Sequence, residues 1–178
     1  MNQVENGLGN RFVEKYYNNY NVHQQYERWE LSDSEFINIL MEWSENKFTE
    51  EKLKFIYADL FTENKETTAI LPALKGNYKL VLLSNTNFIH QTYGWEKFSF
   101  LNNFDKLILS HEVGFTKPDK NIYKAVEHFT QENSENHIFI DDIAEYVLAA
   151  QECGWQAIQF TSHEKLIADF QTLDIIIK

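Results

Sequence analysis

The chain has 178 residues, 43% of them hydrophobic and 15% aromatic, with 16 Lys+Arg against 27 Asp+Glu and a net charge of −11. That length suits one domain or a core with a smaller appended module, and the apolar content is enough to build a packed core. The acidic balance excludes the basic face of a nucleic-acid binder and disfavours anionic membrane surfaces, whereas a small anionic substrate stays compatible, because one lysine and a metal ion make a local positive site inside an acidic protein.

Met1-Asn2-Gln3-Val4-Glu5 has neither a basic n-region nor an apolar h-region. No apolar run approaches the about 20 residues of a membrane span. Cys153 is the only cysteine, so no intrachain disulfide forms, which fits a reducing compartment. The expectation is a cytoplasmic protein without a membrane partner.

Residues 10 to about 66 read as helical throughout. Ser32 or Asp33 caps a helix over 34–41, with Glu35 placed for a capping box. Thr49 opens the next helix, whose apolar positions Leu53, Ile56, Tyr57 and Leu60 follow helical spacing. From Ala69 the pattern alternates. A short helix near 71–74 leads to a strand over 78–83, a helix over 88–97 and a strand over 106–109. A helix over 119–130 then precedes a strand over 137–141, and a helix over 144–153 precedes a strand over 156–160. A helix over 163–170 precedes the apolar run Ile175-Ile176-Ile177. Strands alternating with helices predict right-handed βαβ units and a parallel sheet, whose ligands bind beyond the carboxyl ends of the strands.

Chemistry gathers at those ends. Ser84 follows the first strand, and its hydroxyl either donates to a phosphoryl oxygen or serves as a turn residue. Lys117, in Gly114-Phe115-Thr116-Lys117-Pro118, either holds a phosphoryl charge or is a surface lysine before a helix that starts at Pro118. Asp141-Asp142 either binds a hard cation such as Mg²⁺ through carboxylate oxygen or caps the following helix. Together the three groups say more than any one of them. Gly-x-Ser-x-Gly, P-loop and Gly-x-Gly-x-x-Gly patterns are absent. His90 and His111 fall near the site as neighbours rather than ligands. The aromatic set Tyr16, Tyr17, Tyr20, Tyr26 and Trp29 reads as core or interface before it reads as a ligand cage.

The set Leu82-Leu83-Ser84-Asn85-Thr86-Asn87, Gly114 to Pro118 and Phe139-Ile140-Asp141-Asp142 resembles motifs II, III and IV of the haloacid dehalogenase (HAD) superfamily. Ala149-Ala150 and Gly154 continue the last motif in the family manner. The segment from His23 to Phe36 looks like the helical cap of the α-glucose-1-phosphatase-like branch, with Trp29 where a glycine is usual. The resemblance implies an α/β fold, a Rossmann-like three-layer core with a parallel sheet over 69–178, and a small helical cap over 1–68. It implies Mg²⁺-dependent hydrolysis of a small phosphorylated substrate such as a sugar phosphate, through an aspartyl-phosphate. In that scheme Asp142 ligates Mg²⁺ with Asp141 beside it, Lys117 neutralises phosphoryl charge, Ser84 bonds a phosphoryl oxygen, and Asn85 and Thr86 bind substrate.

Two departures qualify the resemblance. The family opens with an apolar strand ending in Asp-x-Asp, which carries the nucleophile and the general acid, and no such segment occurs before Ser84. The expectation is a chain truncated before its nucleophile and inactive as given, with the first, central strand missing. Ile175-Ile176-Ile177 or a segment of another copy is the candidate filler, and a homo-oligomer is one consequence. Tyr146 stands where close relatives carry a small polar or acidic residue that supports the metal. A non-catalytic HAD-like binding protein is the alternative reading.

Overall fold

A computed structural model describes residues 1–177. Four helices open the chain: α1 (Leu8–Asn18), α2 (Tyr20–Glu27), α3 (Asp33–Trp43) and α4 (Glu50–Ala58). Helix α3 begins on a capping box, in which Ser32 Oγ accepts from the Glu35 amide and Glu35 accepts from the Ser32 amide at 2.9 Å. Thr49 Oγ1 accepts from the Lys52 amide at the start of α4. The apolar stripes of these helices close on one cluster in which Tyr26, Phe36, Leu40 and Leu53 are fully buried, and Ile89 from the second half of the chain enters the same cluster. Helix α4 stops at Ala58, so Leu60, which helical spacing groups with Leu53 and Tyr57, lies beyond it and is exposed.

The second half runs α5 (Lys65–Thr68), α6 (Leu71–Lys75), β1 (Val81–Ser84), β2 (Lys106–Leu109), α7 (Ser110–Val113), α8 (Lys120–Thr130), β3 (Ile138–Asp141), α9 (Ala144–Glu152), β4 (Gln156–Gln159) and α10 (His163–Thr172). The helix expected over 88–97 is short and ends in a π-type turn over His90–Gly94. The four strands form two parallel pairs, β1 with β2 and β3 with β4. Side chains alternate between two helical layers. Ile122, Tyr123 and Val126 of α8 pack with Ile108 and Phe139, with Val81 and Leu83 at the margin of that cluster. Leu74, Leu166 and Phe170 pack with Ile158 on the other side, beside Leu80 and Ile138. Both pairs are therefore parts of one α/β layer structure with helices on each face.

No hydrogen bonds join β1 to β3 among the described residues. The Leu80 carbonyl accepts from Asp105, and the His137 and Asp141 carbonyls accept from Gln156 and Phe160. Alternation along a parallel ladder then turns the backbone groups of Val81 and Leu83, and of Ile138 and Ile140, toward the open edges. Strands in a sheet covered on both faces are normally buried throughout. Here every residue of β1 is only half-buried and Ile140 is 38% exposed, as fits strands that each lack a hydrogen-bonded neighbour on one side; a slot between the pairs is the place for a further strand. Ile175–Ile177 does not fill it. These residues form no strand; the Ile176 amide donates to the Tyr78 hydroxyl, and Ile175 and Ile177 pack near Leu80 and Ile138 at the amino-terminal mouth of the slot.

Candidate active site

The carboxyl ends of β1 and β3 meet at Lys117. Its ammonium donates to Asp141 Oδ2 at 2.6 Å, and both side chains are about nine-tenths buried. The other Asp141 oxygen accepts from the Ile143 amide at 2.9 Å. The Lys117 backbone is held equally firmly: its amide donates to Asn85 Oδ1 at 2.7 Å, and its carbonyl accepts from Asn85 Nδ2 at 3.0 Å. The Tyr146 hydroxyl accepts from the same Nδ2 at 3.3 Å, and its ring lies 5.0 Å from the Lys117 ammonium. Burial raises the Tyr146 pKa, and the Glu27 carboxylate of the helical module adds to the rise.

The loop after β1 is tied at three successive residues to three parts of the fold. Asn85 binds the Lys117 backbone. Thr86 is buried, and Ser110 Oγ takes both its backbone groups, accepting from the amide at 2.9 Å and donating to the carbonyl at 2.8 Å. Asn87, fully buried, donates to the Tyr57 hydroxyl of α4 at 3.2 Å and accepts from the His90 amide at 3.0 Å. Ser84 makes only a 3.4 Å contact with the Asn85 carbonyl, which leaves its hydroxyl free for a ligand. The structure therefore gathers Ser84, Asn85, Thr86, Lys117 and Asp141 around one loop, with Asp142 next in the chain, exposed and with no hydrogen bond to its carboxylate among the described residues.

Ser110 and Tyr57 escape a sequence reading. Tyr57 sits at helical spacing with Leu53 and reads as core; Ser110 carries no motif. The only signal for either is a hydroxyl at an otherwise apolar position, and a hydrogen bond across 24 or 30 residues is invisible before the chain folds.

Among the described residues no group of three or more His, Cys, Asp or Glu side chains is arranged to hold a metal. Mg²⁺ commonly takes one or two carboxylates and fills its remaining positions with water and substrate phosphate. The free Asp142 carboxylate at a strand end fits such a partial site. Both Asp141 oxygens are already engaged.

Beneath the loop, a polar chain joins the two halves. His23 Nδ1 meets the Tyr57 hydroxyl at 2.7 Å, and His23 Nε2 meets Glu27 at 3.1 Å. His90 stacks on Tyr57 with ring centroids 4.5 Å apart. Burial, aided by neighbouring His23, holds His90 down to about 3. An unfolded histidine titrates near 6.5, so the unfolded chain binds this proton first. The His90 contribution to stability is complete above about pH 6.5 and is lost as pH falls toward 3. Between about pH 7 and 5 this one group should lower the unfolding free energy by about 2 kcal/mol. Urea titrations of the wild type and His90→Phe at both pH values check this, and the variant should lose that portion of the pH dependence.

Trp29 closes α2 in a left-handed conformation, with φ 59°. The Trp29 amide donates to the Tyr26 carbonyl, and the Glu30 amide donates to the Gln25 carbonyl. This is the Schellman arrangement, whose left-handed position normally belongs to glycine. A bulky side chain there costs roughly 1–2 kcal/mol. A glycine at this position would take the same backbone without that cost. The indole is half-exposed and lies 6.5 Å from the His111 ring.

A hydroxyl, a lysine and two carboxylates thus gather at the carboxyl ends of parallel strands in an α/β core that carries a helical module. The chain belongs to the haloacid dehalogenase-like hydrolases, whose family pattern matches residues 6–160. It is 28% identical over 150 residues to the D-ribitol-5-phosphate phosphatase of Bacteroides thetaiotaomicron, covering 80% of this chain and 73% of that protein. It is 26% identical over 110 residues to the pyrimidine 5'-nucleotidase YjjG of Escherichia coli, covering 61% of this chain and 49% of that one. The fold matches a Bacteroides thetaiotaomicron HAD family enzyme in complex with magnesium and inorganic phosphate, with TM-score 0.73, 22% identity and coverage of 88% and 86%. It also matches a HAD-like hydrolase of Porphyromonas gingivalis, with TM-score 0.76, 21% identity and coverage of 96% and 87%. Among the described residues no helix is long and apolar enough to cross a membrane.

Proposed function

We propose that this chain is the cap and most of the core of a cytoplasmic, Mg²⁺-dependent phosphatase acting on a small phosphorylated metabolite such as a sugar phosphate, with the cap over 1–68 and the core over 69–178. The observation that carries this reading is Lys117, clamped on Asp141 at 2.6 Å with the free Ser84 hydroxyl and the free Asp142 carboxylate beside it. Lys117 neutralises charge on the phosphoryl group, and the Ser84 hydroxyl donates to one of its oxygens. Asn85 and Thr86 shape the substrate-binding loop, held by Lys117 and Ser110. Asp142 holds Mg²⁺, with Asp141 beside it as the anchor of Lys117. Bound Mg²⁺ supplies charge neutralisation on the phosphoryl oxygens. The catalytic principle is positioning and electrostatics in a preorganised site.

The 178 residues contain no Asp-x-Asp, and no other group at the loop is placed as a nucleophile. The chain as given is therefore inactive in this reading, and the slot between β1 and β3 is where a strand carrying the nucleophile belongs. The Tyr146 ring beside Lys117 favours the second reading, a non-catalytic binder of phosphorylated ligands. Titration of inorganic phosphate with and without Mg²⁺, beside Asp142→Asn, tests the site. Mg²⁺-dependent binding that weakens at least about tenfold in the variant supports the phosphatase-type centre. Binding indifferent to both Mg²⁺ and Asp142 leaves the non-catalytic binder, and no binding removes both readings.

A further inference from the structure

The Asn85 carboxamide fixes the role of a neighbouring hydroxyl. Its Oδ1 accepts from the Lys117 amide at 2.7 Å, so Nδ2 is the end that meets the Lys117 carbonyl at 3.0 Å. A carboxamide nitrogen donates and does not accept. The Tyr146 oxygen, 3.3 Å from Nδ2, therefore accepts from it. The Tyr146 O–H is left over, and it has no acceptor among the described residues. Burial raises the pKa of this phenol, which keeps the proton on the oxygen.

Tyr146 is held in place around that hydroxyl. Its carbonyl accepts from the Tyr123 hydroxyl at 2.8 Å, which ties the first turn of α9 to α8. Its ring lies 5.0 Å from the Lys117 ammonium, and Phe139 presents a ring to the same ammonium at 5.5 Å. A phenylalanine would make the ring contact equally well, so packing does not account for the oxygen. Lys117 also keeps donors in hand: Asp141 takes one N–H of the ammonium, and no second acceptor stands among the described residues. Ser84, directly before Asn85, makes only its 3.4 Å contact. Unspent donors from β1, from the loop between α7 and α8, and from α9 thus border one carboxamide.

We propose that the Tyr146 hydroxyl is a further ligand-binding donor of this centre, giving its hydrogen bond to an oxygen of the bound phosphate beside Lys117 and Ser84. The phenol oxygen accepts from Asn85 while its proton goes to the ligand, and the bond it accepts strengthens the bond it donates. The amide that clamps the Lys117 backbone therefore also aims and polarises the phenol, so the donors stand preorganised before the anion arrives. The inference rests on the anion centre that both readings above share, and adds to it a residue from α9.

The test titrates inorganic phosphate by calorimetry into the full 178-residue chain with Mg²⁺ present, as wild type and as Tyr146→Phe. The variant keeps the ring beside Lys117 and removes only the oxygen. Phosphate affinity should fall about 10- to 100-fold, the range for a hydrogen bond to a charged group. Loosening of Asn85 would also weaken binding, so a second measurement reads the contact itself in the wild type. With tyrosine isotope-labelled at Cζ, the NMR resonance missing from Tyr146→Phe identifies Tyr146. That resonance should move as phosphate is added and saturate at the concentration found by calorimetry. A loss smaller than about tenfold, or a Tyr146 resonance that phosphate does not move, would overturn the inference and leave Tyr146 as a support for Asn85 and Lys117. Failure of phosphate to bind the wild type would remove the anion centre itself, and this role with it.

Discussion

On the phosphatase reading, placing an apolar strand that ends in Asp-x-Asp ahead of Met1 is expected to confer Mg²⁺-dependent phosphatase activity. Such a strand finds two ladders to join, because Val81 and Leu83 of β1 and Ile138 and Ile140 of β3 have backbone groups without a strand partner among the described residues. Its carboxyl end then lies beside Ser84, Lys117 and Asp142. The first aspartate supplies the nucleophile and the second a general acid. General acid catalysis alone contributes about 10²–10⁴-fold, so hydrolysis of an aryl phosphate should rise by at least about 100-fold over the parent chain. Stability should rise as well, since β1 and Ile140 lose their exposure. Replacing the first aspartate of the added strand by asparagine should keep the gain in stability and abolish the gain in turnover. A stabilised chain without turnover even with both aspartates would favour the non-catalytic reading.

The second large effect belongs to Lys117→Met. Lys117 and Asp141 neutralise each other at 2.6 Å with about 8% and 9% of their side-chain surface exposed. Removing the ammonium leaves the Asp141 carboxylate buried with only the Ile143 amide as a hydrogen-bond donor. Breaking a buried pair at one partner typically costs about 3–5 kcal/mol. Chemical denaturation should show a loss of that order. The double variant Lys117→Met with Asp141→Asn should recover more than half of it, because no charge is then stranded. Phosphate binding should stay lost in both variants, which separates the charge that holds the fold from the charge that holds the ligand. A single variant as stable as wild type would show that water reaches the pair.

The strand ends explain why so much of the centre was legible before folding. A parallel α/β chain places strand ends at one rim of the sheet, so the alternating pattern put Ser84, Asp141-Asp142 and the loop that carries Lys117 near one another, whereas their roles came from the family resemblance. Helix starts were equally readable at Ser32 and Thr49, where a side-chain oxygen competes for amides within its own turn. Boundaries fared less well. Residues 78–80 precede β1 and Leu60 lies outside α4, because pairing and packing, rather than propensity, end these elements.

The sequence by itself determined the alternating α/β plan, the helical first third, the motif residues and the absence of Asp-x-Asp, since each is written in neighbouring residues. Only the tertiary structure decided that the sheet stands as two parallel pairs with open facing edges, and that Ile175–Ile177 leaves the slot unfilled. It alone decided that both Asp141 oxygens are engaged, that Ser110 and Tyr57 hold the loop, and that Trp29 takes a left-handed backbone beside His111. Each of these is a choice among partners far apart in the chain, made by whichever buried polar groups and apolar faces come within reach once the layers pack.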